Sequence, residues 1–178
     1  MKLIVGLGNY TKEYKFSRHN TGFMMLDYLH NLGNFNKWND SAKMLGYISE
    51  GLLFGTTCML VKPKTYMNLS GNCVAKIMNF YKLKAENVII IHDDADLDFG
   101  IVKTSNSRNS AGHNGIKSIN SVILEPYNRI RVGIGRPNCN AFDIADYVLS
   151  NFTKEEQKEI EDSIAQNVAT IIENFFKM

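Results

Sequence analysis

The chain is expected to fold as an α/β domain, with one mixed, twisted central sheet flanked by helices. Three patterns carry that expectation. Short apolar runs alternate with segments whose apolar residues recur at helical spacing, the rhythm of strand and helix units. One run, NVIIIH at 87–92, is apolar on both faces, as the central strand of a covered sheet must be. Two strand-like runs flanking Glu50-Gly51 resemble a hairpin, which makes the sheet mixed rather than purely parallel. With 178 residues the chain suits a single domain over 1–178.

Each element follows in order. KLIVGL at 2–7 reads as a buried strand, and residues 21–31 as a helix capped by Asn20 or Thr21. Residues 43–49 and 56–62 form the hairpin pair. From Leu69 to Tyr81, Val74, Ile77, Met78 and Tyr81 repeat at helical spacing. After the central strand, 100–105 reads as a strand, 113–123 as a helix and RIRVGIG at 129–135 as a strand. Thr153 and Glu156 make a capping box. It opens a long amphipathic helix with Ile160, Ile164, Val168, Ile171 and Phe175 on one face.

Composition narrows the function. There is no 18-residue apolar run, so no membrane helix is expected, and the N-terminus lacks a signal-peptide pattern. Cys58, Cys73 and Cys139 are odd in number and widely spaced, which points to reduced thiols in a cytoplasmic setting. Residues 1–140 carry 17 Lys and Arg against 10 Asp and Glu, whereas 141–178 carry 3 against 8. A basic body suggests a polyanionic ligand.

Two tempting motifs fail. GLGN at 6–9 lacks the third glycine of a dinucleotide turn, which falls on Thr11. Asp94, Asp96 and Asp98 lack the glycine and the terminal glutamate of a calcium loop. What remains is a set of polar residues at strand ends: Asn9, Asp93, Asn68 and Asn114, with His19 on a polar loop in KFSRHNTG. Open α/β sheets bind ligands at the carboxyl ends of their strands. No covalent nucleophile has a base near it in sequence, which leaves water activated by a base. Of the other histidines, His30 reads as a helix-end residue, His92 as a structural histidine and His113 as a neighbour of the site.

The strings IVGLGN, RHNTG, TYMNLSG, HDDADL, GHNG and RIRVGIG, in this order, resemble the bacterial-type peptidyl-tRNA hydrolase family over residues 2–135, and DYVLSNF at 146–152 extends the likeness. The resemblance implies an esterase, monomeric and free of metal and cofactor. Its substrate would be peptidyl-tRNA, met at the acceptor end and the 5′ phosphate and cut between peptide and 3′ ribose. It implies His19 as general base and Asp93 as its orienting partner. Asn9, Asn68 and Asn114 would hold the substrate, with Tyr14, Tyr66, Met67 and His113 lining the site. Lys103 and Arg131 would bind the 5′ phosphate. The chain departs from the family pattern at Tyr10-Thr11, where Pro-Gly is common, at Tyr66, where phenylalanine is frequent, and at Ser105, where a second basic residue is usual. Arg108 is a candidate to compensate for Ser105. The rival readings are an RNA-binding module without catalysis and a nucleotide-dependent enzyme. On the esterase reading, His19 and Asp93, 74 positions apart, must lie within hydrogen-bond reach.

Overall fold

The computed structural model describes residues 1–137 and 143–177. Its strands are β1 (Lys2–Gly6), β2 (Asn34–Phe35), β3 (Asn39–Ser41), β4 (Gly46–Leu53), β5 (Thr56–Pro63), β6 (Val88–Asp94), β7 (Val102–Ser105) and β8 (Asn128–Gly133). The helices are α1 (Thr21–Leu32), α2 (Ser70–Tyr81), α3 (Asn114–Asn120), α4 (Ile144–Leu149), α5 (Lys154–Glu159) and α6 (Ala165–Lys177). One sheet runs in the order β2-β4-β5-β1-β6-β8-β7, with β3 paired to β4. Strands β5, β1, β6 and β8 are parallel to one another. The outer strands are antiparallel to their neighbours. The mixed α/β architecture read from the sequence is the one observed.

Strand pleating splits the apolar residues between two cores. Ile4, Leu60, Ile89 and Ile91 pack with Met25, Leu26 and Leu29 of α1 and with Val168 and Ile172 of α6. On the other face Leu3, Val5, Met59 and Ile90 meet Val74 and Ile77 of α2 and Ile116 and Ile119 of α3. Each such side chain contributes about 1.5–3 kcal/mol by leaving water. Cys58 and Cys73 are part of these cores, and burial pushes their thiols up to about 11 and about 12. Cys139 lies outside the described residues.

Three expectations are corrected. The hairpin turns at Phe54-Gly55, where both residues have positive φ (48° and 76°), as a tight two-residue turn demands. Gly51 is therefore inside β4. It faces β2, and a Cβ there would lie 2.2 Å from the Asn34 carbonyl oxygen. The terminal helix is not a single α-helix: residues Ile160–Ile164 form a π segment between α5 and α6. The apolar spacing of four between Ile160, Ile164 and Val168 is wider than an α-helix turn, and the π segment lets all three face the core. Helix α4, capped by Asp143 through the Ala145 amide at 3.1 Å, was not expected from periodicity.

One close approach fixes the frame of the site. Gly22, near the start of α1, packs against the end of β1 so tightly that a Cβ would lie 2.3 Å from the Leu7 nitrogen and 2.4 Å from the Ile91 carbonyl oxygen. A Cβ on Gly6 would meet the Gly22 carbonyl at 2.2 Å. The glycines of IVGLGN and RHNTG thus let α1 start directly on the carboxyl ends of β1 and β6. The residues just before α1 land beside Asp93.

Candidate active site

Arg18–Asn20 form a 3-10 turn ahead of α1. The Thr21 hydroxyl closes it by donating to the Arg18 carbonyl at 2.7 Å. His19 projects from this turn onto the end of β6. Its Nδ1 lies 2.9 Å and 3.0 Å from the two carboxylate oxygens of Asp93. A carboxylate only accepts, so Nδ1 carries the proton and Nε2 keeps its lone pair. His19 is 8% exposed and Asp93 2% exposed. Burial pulls the His19 imidazole down, but the Asp93 charge and hydrogen bond outweigh it, and its pKa lies above the ordinary 6.5. Burial alone would raise the Asp93 carboxyl. The positive charge that His19 carries when protonated and the hydrogen bonds from both imidazoles win, and it lies well below the carboxylate range.

His113 uses the same carboxylate from the other side, its Nε2 3.0 Å from Asp93 Oδ1. Its Nδ1 accepts the Gly115 and Ile116 amides at 3.1 Å and 3.3 Å, capping α3. The ring nitrogens of His19 and His113 with an oxygen of Asp93 lie within 4.8 Å of one another, a spacing that a metal ion could share. The cap argues against it. With Nδ1 accepting two amides, the ring proton sits on Nε2, which then has no lone pair for a metal. His92 stacks edge-on against His113 at 4.9 Å. It donates from Nδ1 to the Asp93 carbonyl at 2.7 Å. Complete burial holds its pKa well below 6.5, aided by His113 and Arg129. It is the structural histidine expected. His30, at the end of α1, stacks on Trp38 and Phe35 away from the site.

The asparagines divide. Asn9 follows β1, and its backbone is clamped by a residue that sequence reasoning had assigned only as a cap. The Asn20 side chain accepts from the Asn9 amide at 2.7 Å and donates to the Asn9 carbonyl at 2.9 Å. It makes no cap bond to α1. Asn68 sits on a 3-10 turn, Met67–Leu69, that packs against α3, which begins at Asn114. Both side chains are exposed and have no hydrogen-bond partner among the described residues. Met67 is buried, and its sulfur lies with the Leu7 side chain against Gly115. Tyr14 ends a short turn, Lys12–Tyr14, and is half-buried. Tyr66 is 67% exposed and pairs with Tyr10, ring centres 6.3 Å apart. Two of the three departures from the family pattern thus face each other. A trough of about 790 Å³ adjoins the site at Asn9 and Asn20 and runs along α1; His19 and Asp93 do not line it.

The basic pair lies on the β7–β8 edge, where Lys103 and Arg131 are register partners. Lys103 is exposed. Arg131 donates from Nε to Asp94 at 2.7 Å, so its charge is already partly matched. Arg108 does not stand in for the missing basic residue at Ser105. Its guanidinium is bound to the carbonyls of Leu124 and Asn120, the latter at 2.6 Å.

Comparison with known proteins gives a single answer. The family model described as peptidyl-tRNA hydrolase matches residues 3–178. A peptidyl-tRNA hydrolase of Rickettsia felis is 43% identical over 98% of this chain and 95% of its own length. One from Wolbachia pipientis is 43% identical over 97% and 94%. Among solved structures, a peptidyl-tRNA hydrolase in complex with N-propanol superposes with a TM-score of 0.90 at 30% identity, over 99% of this chain and 89% of that one. The Acinetobacter baumannii enzyme gives 0.85 at 30%, over 98% and 93%.

Proposed function

The chain belongs to the peptidyl-tRNA hydrolase family, hydrolases acting on an ester bond, and on that premise we propose how its residues do so. The substrate is peptidyl-tRNA, and the bond cut joins the peptide, or an N-blocked amino acid, to the 3′ ribose. The observation that carries the reading is the 2.9 Å contact between His19 Nδ1 and Asp93. It leaves Nε2 of His19 as a base for water, and Asp93 stabilises the imidazolium formed as the water attacks. His113 holds Asp93 from the far side and stays a donor throughout. Such a base is worth roughly 10²–10⁴ in rate. An exposed asparagine amide from Asn68 or Asn114 stabilises the oxyanion, adding on the order of 10²–10³. An ester needs no stronger electrophilic help, so no metal or cofactor enters the reaction.

Asn9 reads the peptide backbone, its position set by Asn20. Tyr14, Tyr66 and Met67 pack along the acceptor end. Lys103 and Arg131 meet the 5′ phosphate, with Asp94 holding the Arg131 fork in place. The enzyme is read as a monomer, and its substrate suits the cytoplasm. The test is release of the blocked amino acid from an N-blocked aminoacyl-tRNA. The parent is expected to turn over, and His19→Ala to bind the tRNA without turning over. Turnover by His19→Ala at the parental rate would remove His19 from the role of base. No release by the parent protein would favour an RNA-binding module.

A further inference from the structure

We propose that Arg18 and Glu156 form a tether that positions His19, so that the acidic terminal segment sets the geometry of the base. The proposal rests on His19 acting as the base. Arg18 is the residue directly before it and is 8% exposed. Its guanidinium meets the Glu156 carboxylate fork to fork, at 3.0 Å and 2.9 Å. Its flat faces lie 4.7 Å from the ring centre of Tyr147 and 4.8 Å from that of Phe152. The backbone follows the same path. Arg18 N–H donates to the Ser150 carbonyl and Phe152 N–H to the Phe16 carbonyl, each at 2.9 Å. Ser17 and Asn151 form a β-bridge between the two segments.

Glu156 is itself held. Its Oε2 accepts the Thr153 amide at 2.8 Å, and Thr153 Oγ accepts the Glu156 amide at 3.2 Å, the capping box of α5. One carboxylate therefore closes a helix end and grips the residue beside the base. A bidentate pair fixes orientation as well as distance. A 3-10 turn of three residues has little rigidity of its own, and small misplacements of a catalytic group are costly. The charge asymmetry of the sequence acquires a purpose here, since the acidic end supplies the partner that a buried cation in the basic body needs.

The alternative is a brace that only stabilises the fold. Glu156→Gln separates the two, because glutamine still accepts from Thr153 and still touches Arg18. On the tether reading kcat falls on the order of 10-fold to 100-fold while KM stays within about twofold, since the substrate contacts are untouched. The groups around the His19 ring are Asp93 from β6 and His113 from the head of α3, with His92 behind it. A looser turn weakens the Asp93 contact, so the acid limb of kcat/KM moves to lower pH. Arg18→Lys, which keeps the charge but not the fork, should fall between the parent and Glu156→Gln or Arg18→Met. Parental kcat and pH profile in Glu156→Gln, with only a lower Tm, overturns the tether. His19→Ala is run alongside: if it retains turnover the base reading itself has failed, whereas an inactive His19→Ala with a parental Glu156→Gln sinks the tether alone.

Discussion

Asp93 and Asp94 are consecutive on β6 and serve two different regions. Asp93 takes two imidazoles, one from each side of the strand end, and is itself almost fully buried beneath them. Asp94 takes one guanidinium, Arg131, at an edge where Lys103 stays exposed. The chemistry region is finished before any substrate arrives: protons are assigned and rings are fixed. The edge region keeps its charge available to water and to a polyanion. Orientation is built where burial makes a misplaced charge costly, and attraction is left where a ligand must come and go.

His19→Ala should cut kcat by roughly 10²–10⁴ and leave tRNA affinity near that of the parent, as measured by single-turnover release and filter binding. If affinity falls instead, the two regions are not separable. Asp93→Asn should cost nearly as much, because an amide can donate to His19 Nδ1 and push the proton onto Nε2, where the base is needed. The acid limb should also move down, since the charge that holds His19 above 6.5 is gone. A parental pH profile would dismiss Asp93 as the orienting group. The same depressed carboxyl predicts a stability trend. Its contribution is present above an unfolded value of 3.8 and is lost as pH falls below that, towards the folded value. The contribution from His19 has the opposite sense, full below 6.5 and lost as pH rises through its raised folded value.

Asn20→Ala should be milder, on the order of 10-fold in kcat/KM, with about 1–3 kcal/mol of stability lost to the orphaned Asn9 amide and carbonyl. Thermal melts and kinetics on a dipeptidyl substrate measure both, and an unchanged KM would show that the Asn9 backbone needs no clamp. Lys103→Ala should be mildest: binding weakens a few-fold and the slope of log affinity against log salt drops by about one. An unchanged slope would detach the edge from phosphate binding.

Much of this was legible in the sequence, and unevenly so. The central strand NVIIIH gave β6 because apolar residues on both faces admit few alternatives, and the ordered motifs pointed to His19 and Asp93 together. The turn of the hairpin was misplaced because Gly51 looks like a turn residue, whereas it serves the close passage of β2. Asn20 looked like a cap because a polar residue before a helix usually is one, and only the return of the chain after β1 gives it Asn9 to hold. Helix α4 is six residues long, too short to show a period. Arg18 and Glu156 are 138 positions apart, and nothing local in either segment names the other. The Arg131–Asp94 pair was hidden for the same reason: nothing local sets the buried Asp94 at the end of β6 apart from the exposed Asp96 and Asp98 that follow it.

The cap that His113 places on α3 has a consequence for how motion at the site can be followed. Its ring cannot turn away from Asp93 without releasing the amide protons of Gly115 and Ile116. Those two protons then exchange with solvent when the imidazole swings out or the head of α3 frays. Their exchange in deuterated water is a clock for the surroundings of the Asp93 carboxylate, readable with no substrate present and no label on any side chain.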